Sequence, residues 1–342
     1  MRRRTLCIGG LNVLDDNVAR LSCRKMTTPI AETLDHHGSR SSGDVIADRR
    51  YDYAVDCMHD GDFAAAAEML EQTLEIAPRW AAAWFVLAEA RDALADRPGA
   101  ISAYGQSSTF DQTDVLGAQL RLARLGATAT PTTSPPAHVA ALFDQYAARF
   151  EIHLVESLGY RGPEILREAF RNVCNLRGRV FTFECALDLG CGTGLVAKAM
   201  KDHVARFVGV DLSRAMIVET KRTGLYDRLA MAEIGTFLRD EPDETCDIVI
   251  AADVFVYVGD VADVFEHAHR VLRPKGLFGF SLQANENVDY ILGDDLRFAH
   301  SHAYVGRLAA RIGFEIATIV SAPVRRDNGV DIPGSYVVLA KP

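Results

Sequence analysis

The stretch ALDLGCGTGLVAKAM, residues 186–200, decides how the rest of the chain is read. An apolar run ends in Asp188, glycines follow at Gly190, Gly192 and Gly194, and a helical pattern begins at once. Glycine accepts left-handed backbone and close approach, so a strand-to-helix turn of this kind offers unpaired N–H groups at a helix N-terminus. Phosphate, pyrophosphate and carboxylate ligands all suit such a turn. The spacing is GxGxG rather than the GxGxxG of a dinucleotide fingerprint, and an acid stands two residues before the first glycine.

Downstream, short β-type runs alternate with helical stretches. They are CALDL from Cys185, RFVGV from Arg206, RLAMA from Arg228, CDIVIA from Cys246, LFGFSL from Leu277, FEIATIV from Phe314 and SYVVLA from Ser335. Near-continuous apolar strands separated by helices predict a parallel sheet covered on both faces. Between the last two runs, residues 321–334 read as a polar loop with no helix for a parallel crossover, so the final strand is expected to run antiparallel. VGVDLS sets Asp211 at a strand end, nineteen residues beyond Gly192. An acid there accepts hydrogen bonds from a ribose diol in dinucleotide and other nucleoside sites alike.

Together, LDLGCGTG, VGVDLS, CDIVIAADVFVYVGD and VLRPKGLFGFS resemble the ordered motifs of class I S-adenosylmethionine-dependent methyltransferases, over residues 139–342. LFDQYAARFEIHL and RFAHSHAYV carry a narrower similarity to bacterial methyltransferases with tetratricopeptide repeats ahead of the catalytic domain. The resemblance implies an α/β fold, a Rossmann-like seven-stranded sheet with an antiparallel last strand, preceded by a small all-α helical-repeat domain. It also implies S-adenosyl-L-methionine as cofactor. In that family, Gly190, Cys191 and Gly192 would bring backbone to the methionine part, while Asp188 orders the loop and the ammonium. Asp211 would take the ribose hydroxyls, with Leu212 and Met216 flanking the adenine, and Glu233 falls where an acid meets the adenine amino group. Asp253 either faces the transferred methyl or caps a turn.

Several residues keep a structural reading beside the functional one. Cys191 reads as a small spacer between glycines, and Phe255 and Tyr257 as core or pocket wall. Arg325 and Arg326 either grip an anionic substrate or belong to a solvated turn. In RFAHSHAYVGRLAARIGF, residues 297–314, Ser301 followed by Tyr304, Val305, Leu308 and Ile312 reads as a helix N-cap. His300, just before it, is either a base kept neutral by the helix dipole or a staple packed on Val305. His302 and Tyr304 are the alternative catalytic groups in that stretch.

Upstream, residues 50–126 are alanine-rich and superimpose on themselves when shifted by 34 positions: Ala66 on Ala100, Leu70 on Tyr104, Tyr53 on Leu87, Ala54 on Ala88. That period resembles the tetratricopeptide repeat, in which small residues let paired helices approach. Trp84, Leu87, Ala88, Ala100 and Tyr104 follow its spacing and Pro78 closes the first repeat, whereas Arg50 and Gln112 replace a usual tryptophan and proline. A capping helix is expected over 115–125, and two repeats fall short of independent stability, so they are expected to lean on the second domain. ATATPTTSPPAH, residues 127–138, breaks every period and reads as an extended linker. Beyond it Val139, Leu142, Phe143, Tyr146, Phe150 and Leu154 return at helical spacing. Residues 1–44 lack a period and read as a disordered tail, with Met26 as a second candidate start. The expected boundaries are therefore a tail to 44, helical repeats over 45–126, a linker over 127–137 and a methyltransferase domain over 138–342.

Composition narrows the function classes. The 342 residues are 49% hydrophobic and 24% charged, and no apolar run approaches the ~20 residues of a membrane span, so a cytoplasmic protein without a membrane partner is expected. A net charge of −9 gives no footprint for nucleic acid. Seven scattered cysteines without a CxxC pair predict neither a zinc site nor a disulfide framework, and no metal is expected. The function expected is methyl transfer to an unidentified small-molecule or protein acceptor, with the helical repeats recruiting or orienting a partner. Two alternatives stand beside it: an NAD-dependent oxidoreductase, disfavoured by the glycine spacing and the terminal strand pair, and a non-catalytic scaffold that only senses the cofactor.

Overall fold

A computed structural model describes residues 41–152, 159–286, 288–327 and 329–342. Most of the expected tail, and Leu154, lie outside the described residues. The chain opens with α1 (Val45–Asp60), α2 (Phe63–Ile76), α3 (Ala81–Ala93), α4 (Arg97–Phe110) and α5 (Ala118–Arg124). Aspartates set the helix starts: Asp44, Asp62 and Asp96 accept first-turn N–H groups of α1, α2 and α4. Ala54, Ala66, Ala88 and Ala100 are fully buried and let the helices approach, while Leu70 and Tyr104 fill the space beside them. The 34-residue match does not extend to every pair, since Tyr53 is 56% exposed and Leu87 only 1%. The expected capping helix begins three residues late, because the Asp114 carboxylate accepts from the N–H groups of Ala118 (2.7 Å) and Gln119 (3.1 Å) and starts α5 there.

The α/β part follows as α6 (Pro136–Ile152), α7 (Gly162–Leu176), β1 (Phe183–Leu189), α8 (Leu195–Met200), β2 (Val204–Asp211), α9 (Arg214–Arg222), β3 (Arg228–Met231), α10 (Ile234–Asp240) and β4 (Cys246–Ala251). Then come α11 (Ala262–Val271), β5 (Leu272–Ala284), β6 (Tyr290–Leu292), β7 (Phe298–His300), α12 (His302–Ile312), β8 (Glu315–Ser321), β9 (Arg325–Asp327), β10 (Val330–Ile332) and β11 (Gly334–Ala340). The sheet runs β3-β2-β1-β4-β5-β11-β8, with β1 to β5 parallel and β11 antiparallel to both its neighbours. All seven expected strands are present, and the last is reversed as the missing crossover requires. One face packs Phe255, Phe265, Phe278 and Phe280 beneath α10, α11 and α12; the other packs Phe170, Met200 and Tyr336 beneath α7 and α8. Both faces are thus apolar, and for that reason the strands carry no alternating pattern.

Three regions correct the sequence reading. Residues 321–334 are not a plain loop, since β9 and β10 pair there as an antiparallel hairpin. Past β5, the short strands β6 and β7 extend the sheet. The linker is also not a free spacer. The N–H groups of Gly259 (2.8 Å) and Asp260 (2.9 Å) donate to the Thr132 carbonyl, Ser134 N–H donates to the Tyr257 carbonyl (2.9 Å), and α6 begins inside the expected linker at Pro136. His138 at the start of α6 reaches back to the helical part, with Nδ1 3.0 Å from the Val115 carbonyl oxygen. Its ring lies so close beneath Gly117, where φ is 77°, that a Cβ there would sit 2.9 Å from the imidazole.

Candidate active site

A cleft opens at the carboxyl ends of β1, β2 and β4, where the strand order reverses direction between β1 and β4. Open α/β sheets bind their ligands at such a crevice. It encloses ≈ 980 Å³, solvent at its mouth included. The floor is the glycine turn with Asp211, Leu212 and Ile234; Asp253, Val254 and Tyr257 form one wall. The linker and α6 continue that wall, through Thr133, Ser134, Val139 and Phe143.

The glycine turn is bent as its composition requires, with φ of 65° at Gly190, 52° at Gly192 and 86° at Gly194. At Gly190 a Cβ would lie 2.6 Å from Cγ2 of Val254, so the turn and the wall after β4 meet only because the side chain is missing. Asp211 clamps the turn from the end of β2, accepting the Gly192 N–H (2.9 Å) on one oxygen and the Ser213 N–H (2.8 Å) on the other. Burial pushes its pKa up, and those two N–H groups pull it back. Ser213 in turn donates to Asp144 of α6 (2.6 Å), which draws that helix over the cleft.

Asp188, at the end of β1, is 1% exposed. Its Oδ2 accepts the Tyr226 hydroxyl at 2.5 Å, while Oδ1 is buried without a hydrogen-bond partner. Burial, with the Asp211 charge adding to it, pushes this carboxyl up to about 7. A buried carboxylate oxygen left bare costs folding free energy. The bent glycine turn and the Asp211 clamp line the cleft and suit a ligand that meets backbone N–H groups and an acceptor carboxylate, whereas Asp188 is sealed beneath the turn and does not line it.

The other expected residues divide. Leu212 lines the cleft, but Met216 is fully buried in the first turn of α9 and does not; Ile234 is a further apolar residue of the lining. Glu233 lines the cleft, yet both its oxygens accept backbone N–H groups, of Gly235 (2.9 Å) and Thr236 (2.7 Å), as the N-cap of α10. Cys191 is buried with its thiol pKa pushed up by burial, which matches a spacer. Phe255 is core, whereas Tyr257 is cleft wall, edge-on to Phe143 at 5.5 Å.

Neither His300 nor Tyr304 lines the cleft. His300 is buried, and its Nε2 donates to the Gly259 carbonyl at 2.8 Å, which leaves Nδ1 as the bare ring nitrogen, buried and unpaired. Burial holds its pKa down at about 4. Ser301 caps α12 as expected, accepting Tyr304 N–H at 3.1 Å, and the Tyr304 hydroxyl donates to Asp260 at 2.7 Å. His302 meets Ser335 at 2.7 Å. This stretch therefore props the loop after β4 from behind rather than facing a ligand.

Asp253 lines the cleft and sits at φ 60°, a left-handed conformation that few residues other than glycine adopt. Arg325 is buried beside it and Arg326 is solvated, so the two arginines separate. Sequence reasoning missed Tyr226, the linker residues and the buried position of Arg325. The Asn-Gly dipeptide at 328–329 was the one available sign of the hairpin that carries Arg325. Among the described residues, no His, Cys, Asp and Glu side chains gather in a metal-binding group, and no helix is long and apolar enough to cross a membrane.

Comparison with known proteins agrees with this geometry. A family model described as a methyltransferase domain matches residues 187–280, which contain the glycine turn, Asp211, Glu233 and Asp253. A ubiquinone biosynthesis O-methyltransferase of Bradyrhizobium diazoefficiens is 29% identical over 167 residues, 44% of this chain and 63% of that protein. A malonyl-[acyl-carrier protein] O-methyltransferase of Salmonella typhimurium is 26% identical, over 42% of this chain and 52% of its own length. The arginine hydroxylase NDUFAF5 of Homo sapiens is 24% identical, over 46% and 48%. The chain thus spans about half to five-eighths of these relatives. A solved S-adenosylmethionine-dependent methyltransferase from Clostridium acetobutylicum is 15% identical, with a TM-score of 0.45 over 57% of this chain and 98% of its own. Residues 187–280, the part of the chain that holds the glycine turn and Asp211, thus match a methyltransferase domain.

Proposed function

We propose that this protein transfers a methyl group from S-adenosylmethionine to a small-molecule or protein acceptor, and that helical repeats of the tetratricopeptide kind over 45–126 recruit or orient a partner. The observation that carries the reading is the Gly190–Gly192 turn clamped by Asp211, inside the segment that matches the methyltransferase model. Bound S-adenosylmethionine supplies a methyl carbon on a sulfonium, and the protein has chiefly to orient donor and acceptor in line. The backbone of Gly190, Cys191 and Gly192 holds the methionine part, and Asp188, buried beneath the turn, orders it. Asp211 takes the ribose hydroxyls, since each of its oxygens keeps a lone pair beyond the N–H it accepts. Leu212 and Ile234 flank the adenine, and Asp253 faces the acceptor. Incubation with labelled methyl donor and a metabolite extract tests the reading. A labelled product formed in step with S-adenosylhomocysteine is expected; label that stays on the donor argues for the cofactor-sensing scaffold.

Asp211→Ala removes a charge-assisted contact and the clamp on Gly192 together, so S-adenosylhomocysteine affinity is expected to fall by about one to two decades, ~1.5 to 3 kcal/mol. Unchanged affinity in calorimetry would remove Asp211 from the site. The docked linker makes a second expectation. A fragment starting at 128 keeps Thr132, Thr133 and Ser134 against the wall after β4 and should bind S-adenosylhomocysteine like the full chain. A fragment starting at 138 lacks that wall and should bind more weakly. Equal affinity of two folded fragments would show the linker to be dispensable.

A further inference from the structure

We infer that Arg325 is a positioning residue that holds Asp253 as an ionised proton acceptor on the cleft wall, and that the acceptor group presented to Asp253 is a neutral hydroxyl. This rests on the methyl-transfer reading above. Asp253 keeps its left-handed backbone through an N–H that donates to Ser281 Oγ at 2.8 Å. Strained backbone of this kind persists where its surroundings fix it, and it gathers at functional sites. Its Oδ1 is buried without a hydrogen bond, and Nη1 of Arg325 lies 3.9 Å away.

The Arg325 side chain is only 4% exposed. Its Nη2 donates to Gln283 Oε1 (2.9 Å) and Asp295 Oδ2 (3.1 Å), which fixes the guanidinium behind the wall. Arg297, also buried, places a second guanidinium within electrostatic reach of Asp253. The hairpin of β9 and β10 and the segment before β7 thus deliver two cations to one carboxylate. Burial, the largest effect, raises the Asp253 carboxyl above the ordinary carboxylate range, and Arg325 first and Arg297 second oppose that rise. The hydroxyls of Tyr160, Tyr257 and Tyr336 also face this charge and are held neutral by burial.

Charge balance then selects the acceptor. Two guanidiniums stand against two part-buried carboxylates, Asp253 and Asp295, so these four groups are neutral together while Asp253 is ionised. An anionic acceptor would lie against the Asp253 carboxylate with no proton to give it, and an ammonium has no lone pair with which to attack the methyl carbon. A neutral hydroxyl adds no charge and needs the base. Its O–H proton passes to the Asp253 carboxylate as its oxygen bonds the methyl carbon, and the C–S electron pair returns to sulfur, leaving a thioether.

The test is a pH titration of the full chain labelled at Asp side-chain carboxyl carbons, followed by 13C NMR, with the Asp253 signal identified by its loss in Asp253→Asn. Arg325→Met is expected to raise the Asp253 midpoint by about one unit or more, with S-adenosylhomocysteine affinity kept within about two-fold. Arg325→Lys, which restores the charge, should return the midpoint most of the way. Asp295→Asn is an independent variant with the opposite sign: it frees Arg325 toward Asp253 and should lower the midpoint. An Asp253 midpoint that stays put in the folded variants overturns the positioning role. For the acceptor class, phenol and benzoate are added separately to protein saturated with S-adenosylhomocysteine, and phenol alone is expected to perturb the Asp253 signal. A benzoate response equal to or larger than that of phenol overturns the hydroxyl assignment. Failure to bind S-adenosylhomocysteine would instead count against the methyl-transfer reading, because the titration can be followed without it.

Discussion

At pH 8 and without ligand, Asp188→Asn is expected to be more stable than the natural protein by about 3 kcal/mol, while binding S-adenosylhomocysteine ten- to hundred-fold more weakly. Asp188 is sealed at the end of β1 with one oxygen bare, and its carboxyl is pushed from 3.8 up to about 7. Between those values the folded chain holds a proton that the unfolded chain has released. Stability therefore falls as pH rises from about 4 to 7, and above 7 the whole penalty of a buried, poorly satisfied carboxylate is present. Asparagine removes the charge and still accepts from Tyr226, although its amide N–H groups keep the gain below the full shift. The same carboxylate braces the glycine turn from beneath, next to Gly190 and Cys191 of the cleft, so stability and affinity should move in opposite directions. Urea unfolding at pH 5 and pH 8 checks this: the difference between variant and natural protein should be small at the first and large at the second. Equal differences would mean that Asp188 is not buried as a carboxylate.

His300→Gln is expected to flatten the acid side of the stability curve. The ring is 1% exposed, its pKa is held down at about 4 against 6.5, and Nδ1 has no partner to stabilise a second proton. Below pH 6.5 the unfolded chain binds a proton that the folded chain refuses, so stability is lost as pH falls toward 4, by up to about 3 kcal/mol. Glutamine can still donate to the Gly259 carbonyl and carries no such term. The variant should gain about 2 kcal/mol relative to the natural protein on going from pH 7.5 to pH 5. Asp188 acts with the opposite sign over nearly the same window, so the natural pH curve shows little of either, and the paired variants separate them. S-adenosylhomocysteine affinity should not change, because His300 does not line the cleft. A loss of affinity without a change in pH dependence would return the residue to the site.

The difference between what the sequence shows and what it hides follows from interaction range. The seven strands, the reversed β11 and the glycine turn are local: apolar runs, a missing crossover and positions at positive φ are written in consecutive residues. Asp211 and Leu212 follow from their place at a strand end, and the Ser301 cap from its spacing to Tyr304. Met216 failed because helical spacing alone does not tell the face turned to the cleft from the face turned to the core. Glu233 stands at the expected place, but its carboxylate closes the first turn of α10, a use that an acid before a helix always offers. His300 is an N-cap neighbour as read, yet the Gly259 carbonyl that claims its Nε2 is 41 residues away in sequence. The linker and Arg325 escaped for the same reason. Thr132 meets Gly259 and Arg325 meets Asp253 across the fold, and neither pairing leaves a local pattern.

The central claim is that the glycine turn and Asp211 form the floor of an S-adenosyl site. Isothermal titration of the full chain with S-adenosylhomocysteine and, separately, with NAD tests it most directly. One site per chain for S-adenosylhomocysteine, with a Kd of about micromolar order and no heat from NAD, is the expected result. Saturable binding of NAD with none of S-adenosylhomocysteine would contradict it.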